Sequence, residues 1–349
     1  MKIFSSTKSK YIITSFIFLV LILGCSQNPG KKIEKGIELY MSGETAKAIG
    51  LIEDGLINSA LINKIKINQL SLGENVIYYR QKKNIKIIWP LELNIEISEK
   101  YNLISYFHEA NKLGLSNGYD IKLYDTAGNL IKTCGPTPDD KRIKAFTLIN
   151  ELIYYYKDKK VFIYDPATDA DKQLSNVKTQ LPFDNESYDA KFYKTDNSLA
   201  VAAGIAGRYY LSIYDLKNNS VILANYEIAS LKLLFRNDDV YYISGSAGNY
   251  TTIKKSIAAK KQNNLMEFKN LKDIEFFISG MLIEDKDGLW FTGYESSRQK
   301  IPFRYEFAGQ CGGNPVIKYA NNFYVIDFIR FADILNQIRE KSPSVFEIK

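Results

Sequence analysis

The chain has 349 residues, a formal charge of +7, one histidine and three cysteines. Setting aside the first 24 residues, which carry Lys2, Lys8 and Lys10 and no acid, leaves +4, a near balance that argues against nucleic acid as a partner. One imidazole and three thiols argue against a nitrogen–sulfur metal centre, and 46% hydrophobic with 24% charged residues argues against wholesale disorder.

Residues 1–10 are basic and polar, and 11–23 form an apolar run. That run falls short of the roughly 20 residues a membrane helix needs and suits the apolar core of an export signal. It ends in Ile22-Leu23-Gly24-Cys25, which resembles the lipobox of bacterial lipoproteins. The resemblance implies a diacylglycerol thioether on Cys25, cleavage before it and N-acylation. Residues 1–24 are then a signal peptide and 25–32 a short lipidated tether. An ordinary signal peptide or an N-terminal anchor helix with a chance cysteine is the competing reading. A single acyl chain gains ~0.8 kcal/mol per buried CH₂ and binds reversibly, whereas three chains hold a protein on the bilayer. Ser26 follows in place of the aspartate that retains such proteins on the inner membrane, so the resemblance implies the outer membrane, with the periplasmic face expected.

Residues 33–63 read as two helices. Ile33, Ile37 and Tyr40 share one stripe, Ala48, Leu51, Ile52, Gly55 and Leu56 a second, and 41–45 breaks them with Gly43 suited to the turn. The pattern Gly36, Leu39, Gly43, Ala48, Ile52, Gly55, Ala60 resembles a single tetratricopeptide repeat, with Lys32 at the usual tryptophan position. A lone repeat cannot bury its outer face, so this TPR-like hairpin must pack on the next domain or on a partner.

From residue 64 the chain repeats itself. Leu123-Tyr124-Asp125, Ile163-Tyr164-Asp165 and Ile213-Tyr214-Asp215 recur at 40 and 50 residues, with Tyr305-Glu306 read as a degenerate copy. Residues 204–209 return at 245–250 as Gly-x-Ala-Gly-x-Tyr. Alternating runs of four to eight residues between polar turns are antiparallel strands, and four strands per ~40–45 residues is the period of a propeller blade. The fold class is therefore mainly β: a six- to seven-bladed β-propeller over 64–331, followed by a C-terminal tail over 332–349. The blades are expected at 64–98, 100–134, 142–175, 189–224, 229–268 and 273–313, with strands at 315–319 and 323–328 closing the ring or forming a seventh. Ring closure leaves few open sheet edges. Cys134 and Cys311 fall at equivalent points of non-adjacent blades, too far apart for a disulfide, and are expected free.

The residues that invite chemistry mostly read as structure. Each Tyr-Asp aspartate suits capping of the turn that follows, and each tyrosine suits packing between blades. The Gly-x-Ala-Gly-x-Tyr segments lack the helix and Lys-Ser/Thr of a phosphate loop and read as hairpins. Asp165, Asp169 and Asp171 miss the spacing of a calcium loop. His108 has no second imidazole for a ligand pair, and no Gly-x-Ser-x-Gly elbow occurs. Catalytic residues, metal ligands and cofactor sites are thus expected to be none.

The turns at 124–129 and 214–219 resemble those of quinoprotein-like propeller repeats, yet with Trp89 and Trp290 alone the docking tryptophans of those repeats are missing and no cofactor is implied. A lipobox followed by such a propeller resembles the BamB-like accessory lipoproteins of the outer-membrane β-barrel assembly machinery. That family has eight blades and no helical hairpin. The resemblance implies a non-enzymatic scaffold with protein partners in an envelope complex: a BamA-like barrel subunit and a helical-repeat lipoprotein that could meet the hairpin. A surface-exposed binding or adhesin lipoprotein is the alternative. A propeller hydrolase or lyase requires polar residues converging on the central channel, with perturbed carboxylates.

Overall fold

The computed structural model describes residues 28–66, 70–135, 141–175, 188–195, 197–205, 207–236, 239–246, 248–257, 259, 261–294 and 298–341. The signal peptide, Ile22, Leu23, Gly24 and Cys25 lie outside the described residues. Seven four-stranded antiparallel sheets follow one another as blades. Six are local meanders, at 70–96, 103–134, 145–173, 189–228, 234–269 and 273–300. The seventh takes three strands from 306–325 and its outermost strand, β1 (Ile62–Lys66), from the beginning of the propeller. There Ile62 pairs with Val325 and Lys66 with Asn322. The blade count is seven. Two expected boundaries move: β1 is not the first strand of blade one, and 306–311 is the inner strand of blade seven rather than the end of blade six.

The repeated Tyr-Asp turns do the work expected of them. Asp125, Asp165 and Asp215 each accept the amide two residues on, from Ala127, Ala167 and Lys217, all at 2.9 Å. Each preceding tyrosine is buried against the neighbouring blade: Tyr124 with Val76 and Ile87, Tyr164 with Leu123 and Cys134, Tyr214 with Tyr154 and Val161. At these three interfaces one tyrosine thus serves as a spacer with large buried area. Tyr305 departs from this pattern. It lies in the connection into blade seven and donates its hydroxyl to the Glu53 carbonyl at 2.9 Å.

Glu99 latches the connection that enters blade two. Its carboxylate accepts from Lys122 at 2.6 Å, Tyr101 at 2.8 Å and Asn117 at 2.6 Å, and these donors, Lys122 foremost, lower its pKa to about 2. A carboxylate held below its unfolded value stabilises the fold above pH 4.5 and loses that contribution as the pH falls toward 2. The side chain is partly exposed, so solvent screening reduces the effect to the order of 1 kcal/mol. Glu99→Gln is expected to weaken stability at pH 7 and to flatten the acid limb between pH 4.5 and 2, as read from urea unfolding across pH. An unchanged acid limb would show the latch to be energetically idle.

Two helices, α1 (Pro29–Met41) and α2 (Thr45–Asn58), form the expected hairpin. Asn28 caps α1 by accepting the Gly30 amide at 3.0 Å. The hairpin docks on the propeller: Ile33, Ile37, Ile52 and Leu56 share one core with Phe277 and Phe291 of blade six and Ile317 and Tyr324 of blade seven. Buried Glu53 fixes the junction, accepting the Arg304 backbone amide and its Nη2, both at 2.7 Å. The segment expected as a tail instead begins inside α3 (Phe328–Lys341), whose Phe331, Leu335 and Ile338 enter that same core.

Cys134 and Cys311 are buried and free, and burial raises their thiols to about 11 and about 12. The two do not sit at equivalent points of their blades, since Cys134 ends the outer strand of one and Cys311 the inner strand of another.

Candidate functional site

The inner strands of the blades surround the propeller axis, and Ser105, Thr147, Lys191 and Glu275 of four of them border its openings. The channel widens into two cavities. One, of about 770 Å³, opens among the turns between the first and second strands of the blades; the other, of about 450 Å³, opens at the opposite end. Glu74 and Lys191 line both.

Polar side chains meet in the narrow middle. Ser105 donates to Glu74 Oε2 at 3.3 Å. Lys232 contacts Glu275 and Asp273, each at 2.6 Å, and Gln310 donates to the other Glu275 oxygen at 2.8 Å. Lys191 lies 5.0 Å from the centre of the Tyr193 ring, and Tyr193 donates its hydroxyl to the Leu231 carbonyl. Burial raises the Glu74 pKa, with Lys191, Ser105 and Lys194 opposing. Lys191 stays above the ordinary lysine range, held there by Tyr193 first and then by Glu74 and Glu275 against the cost of burial. The arrangement is a protonatable carboxyl beside a hydroxyl and a retained cation, with the remaining acids already engaged.

These residues were not singled out in the sequence, although a signal exists. Ser105, Thr147 and Glu275 each interrupt an apolar inner strand at its third position. His108, which was singled out, sits on the rim with its ring edge-on to Tyr106 at 4.8 Å and Trp89 at 6.0 Å. Burial lowers its pKa, opposed by Glu109, and the ring packs as an aromatic neighbour of Tyr106 and Trp89. The three aspartates considered for calcium go separate ways. Asp171 accepts from Tyr155 at 2.6 Å, Asp169 pairs with Lys132 at 2.9 Å, and Asp165 caps its turn. Among the described residues no cluster of three metal-ligating side chains occurs. Both Gly-x-Ala-Gly-x-Tyr segments are hairpins, with Ile205 opposite Arg208 and Ser246 opposite Asn249.

No protein-family model matches the chain, and no curated protein does. Solved structures do. The chain is similar in fold to BamB from Moraxella catarrhalis. The identity is 15% over 74% of this chain and 81% of that one, with a TM-score of 0.48. A chain of the mitotic checkpoint complex aligns at 12% identity over 76% of this chain and 90% of that one, TM-score 0.49. Dipeptidyl peptidase 4 from Porphyromonas gingivalis aligns at 9% over 75% of this chain and 51% of that one, TM-score 0.48. Such likeness concerns the fold alone, and the propeller assignment rests on the seven sheets themselves.

Proposed function

We propose that this protein is a non-enzymatic scaffold lipoprotein, held by acylated Cys25 on the periplasmic face of the outer membrane. In this reading the rigid propeller presents its loops to an envelope assembly complex. By resemblance the partners are a BamA-like barrel subunit and a helical-repeat lipoprotein. The observation that carries the proposal is the junction between anchor and fold. The lipobox ends three residues before Asn28, the cap of a helix locked into the core of blades six and seven. A leash this short, at most ~3.6 Å per residue, holds a stiff frame beside the bilayer in a restricted orientation. That arrangement suits presentation of a surface to membrane-embedded partners.

Cys25→Ser is expected to move the protein from the membrane to the soluble fraction. The denatured wild-type mature chain should titrate two thiols, Cys134 and Cys311, because the third is a thioether. A third reactive thiol, or membrane retention of the serine variant, would sink the anchor. Mild-detergent isolation from native membranes tests the partners, and recovery of the protein alone counts against the scaffold role. Protease added to intact cells separates a periplasmic protein from the alternative surface-exposed adhesin, which it would degrade.

A second reading draws on the channel. The Ser105–Glu74–Lys191 cluster, with its raised carboxyl pKa, meets in part the condition for a hydrolase or lyase. If that reading holds, Glu74→Gln abolishes turnover of a hydrolysable substrate panel while leaving the partners bound. Wild-type protein inert on the whole panel would dismiss it.

A further inference from the structure

The two most exposed large apolar side chains among the described residues share one edge of the propeller. Ile329 is 73% exposed and Ile278 60%, and both border the 770 Å³ mouth, where Leu61, at 50%, also lies. Ile278 caps the tight turn between the first two strands of blade six, and Ile329 stands in the first turn of α3. Just beneath, Phe277 and Phe328 stack at 4.1 Å and make the edge stiff. Cations frame it. Arg236 reaches across to donate to the Ile278 carbonyl at 2.9 Å, and Arg330 follows Ile329. The acids nearby are already engaged: Asp327 accepts the Ile329 amide at 3.0 Å, and Glu109 pairs with Lys194.

The anchor leaves the fold beside this edge. A side chain built at Gly30, in the first turn of α1, would stand 3.8 Å from Arg330 Nη2. From Asn28 back to Cys25 the backbone can reach only about 11 Å. Acyl chains on Cys25 would therefore enter the bilayer next to Ile329, on the side of the propeller that carries Ile278.

We propose that this mouth docks on the lipid surface, with Ile278 and Ile329 entering the boundary between headgroups and acyl chains and Arg236 and Arg330 facing lipid phosphates. The inference rests on acylation of Cys25 and adds an orientation that acylation alone does not specify. Residues at such an interface sit ~5–10 Å into the boundary region, where apolar burial and attraction to anionic lipid act together. The membrane then covers the larger mouth. The turns between the second and third strands, among them 117–120 of blade two with half-exposed Tyr119, point into the aqueous phase.

The test uses the mature acylated protein reconstituted in vesicles of phosphatidylethanolamine and phosphatidylglycerol. A bimane probe is placed at Ile278→Cys, Ile329→Cys or Tyr119→Cys, all exposed positions where cysteine leaves the core intact. Nitroxide lipids labelled near the headgroup are expected to quench the probes at 278 and 329 at least about threefold more than the probe at 119. Equal quenching at all three positions overturns the orientation. So does shielding of 278 and 329 from aqueous iodide without lipid quenching, which would mean that a protein or a second copy covers the edge. Metabolic labelling with a palmitate analogue separates the two levels. A labelled Cys25 with unquenched probes rejects only the docking, whereas an unlabelled Cys25 rejects the lipoprotein reading and the docking with it.

Discussion

Leu335→Ala is expected to lower the unfolding free energy by about 3 kcal/mol, a large share of a typical domain's margin. Leu335 is fully buried in α3, between Phe331 and Ile338, in a core that also contains both hairpin helices and residues of blades six and seven. Truncation removes apolar burial and leaves a void that three independently anchored layers cannot easily close, so the cavity cost adds to the transfer cost. Equilibrium urea unfolding measures it. Gln299 Nε2 donates to the Leu335 backbone carbonyl at 2.9 Å, a bond that does not depend on the leucine side chain, so the substitution tests the packing. A loss below about 1 kcal/mol would mean that α3 lies on the surface as a dispensable extension.

The second large effect concerns how closely α1 and α2 approach. A Cβ at Gly36 would lie 2.6 Å from Ile52 Cγ1 and 3.0 Å from the Ala48 carbonyl oxygen. Two effects oppose each other in Gly36→Leu. Leucine gains roughly 0.8 kcal/mol of helix propensity over glycine, but overpacking costs typically 1–3 kcal/mol and more when backbone must move. Because the carbonyl is backbone, the clash wins, and a net loss of about 2 kcal/mol is expected. Gly50→Leu is the control. A Cβ at Gly50, in the same hairpin, meets nothing within 4 Å, so there propensity acts alone and a small gain is expected. Opposite signs at the two glycines, read by thermal unfolding, would establish the close approach; a gain at both would refute it.

The parts of this architecture that showed in the sequence are those fixed by local chemistry. Asp125, Asp165 and Asp215 cap turns two residues away, so their recurrence marked out the blades. The closure did not show. Ile62–Lys66 reads as the first strand of the first blade, and nothing local says that its partner is Asn322–Val325. Helix α3 was partly legible. Phe328, Phe331, Leu335 and Ile338 follow helical spacing, yet Phe328 also ends the apolar run 323–328 that reads as a strand, whereas the strand stops at Val325 and Phe328 opens the helix. The channel residues were hidden for a different reason. Inner strands are covered on both faces by adjacent blades, so 145–149 is buried throughout without alternation, and the lone hydroxyl of Thr147 is the one local mark it carries. Glu74 is harder still, since it sits in a turn beside an apolar strand and meets Ser105 only through the pairing of two blades.

Because β1 completes a sheet whose other strands are the last to be made, the order of synthesis bears on how the molecule matures. A chain emerging from its beginning carries an unsatisfied ribbon, Ile62–Lys66, through the assembly of six sheets before its complement exists. The entropic cost of joining such distant segments grows only logarithmically with their separation, so the finished circle is not thermodynamically handicapped. The burden is kinetic: a chain interrupted before Asn322 keeps a raw hydrogen-bonding edge that any neighbouring extended segment could take.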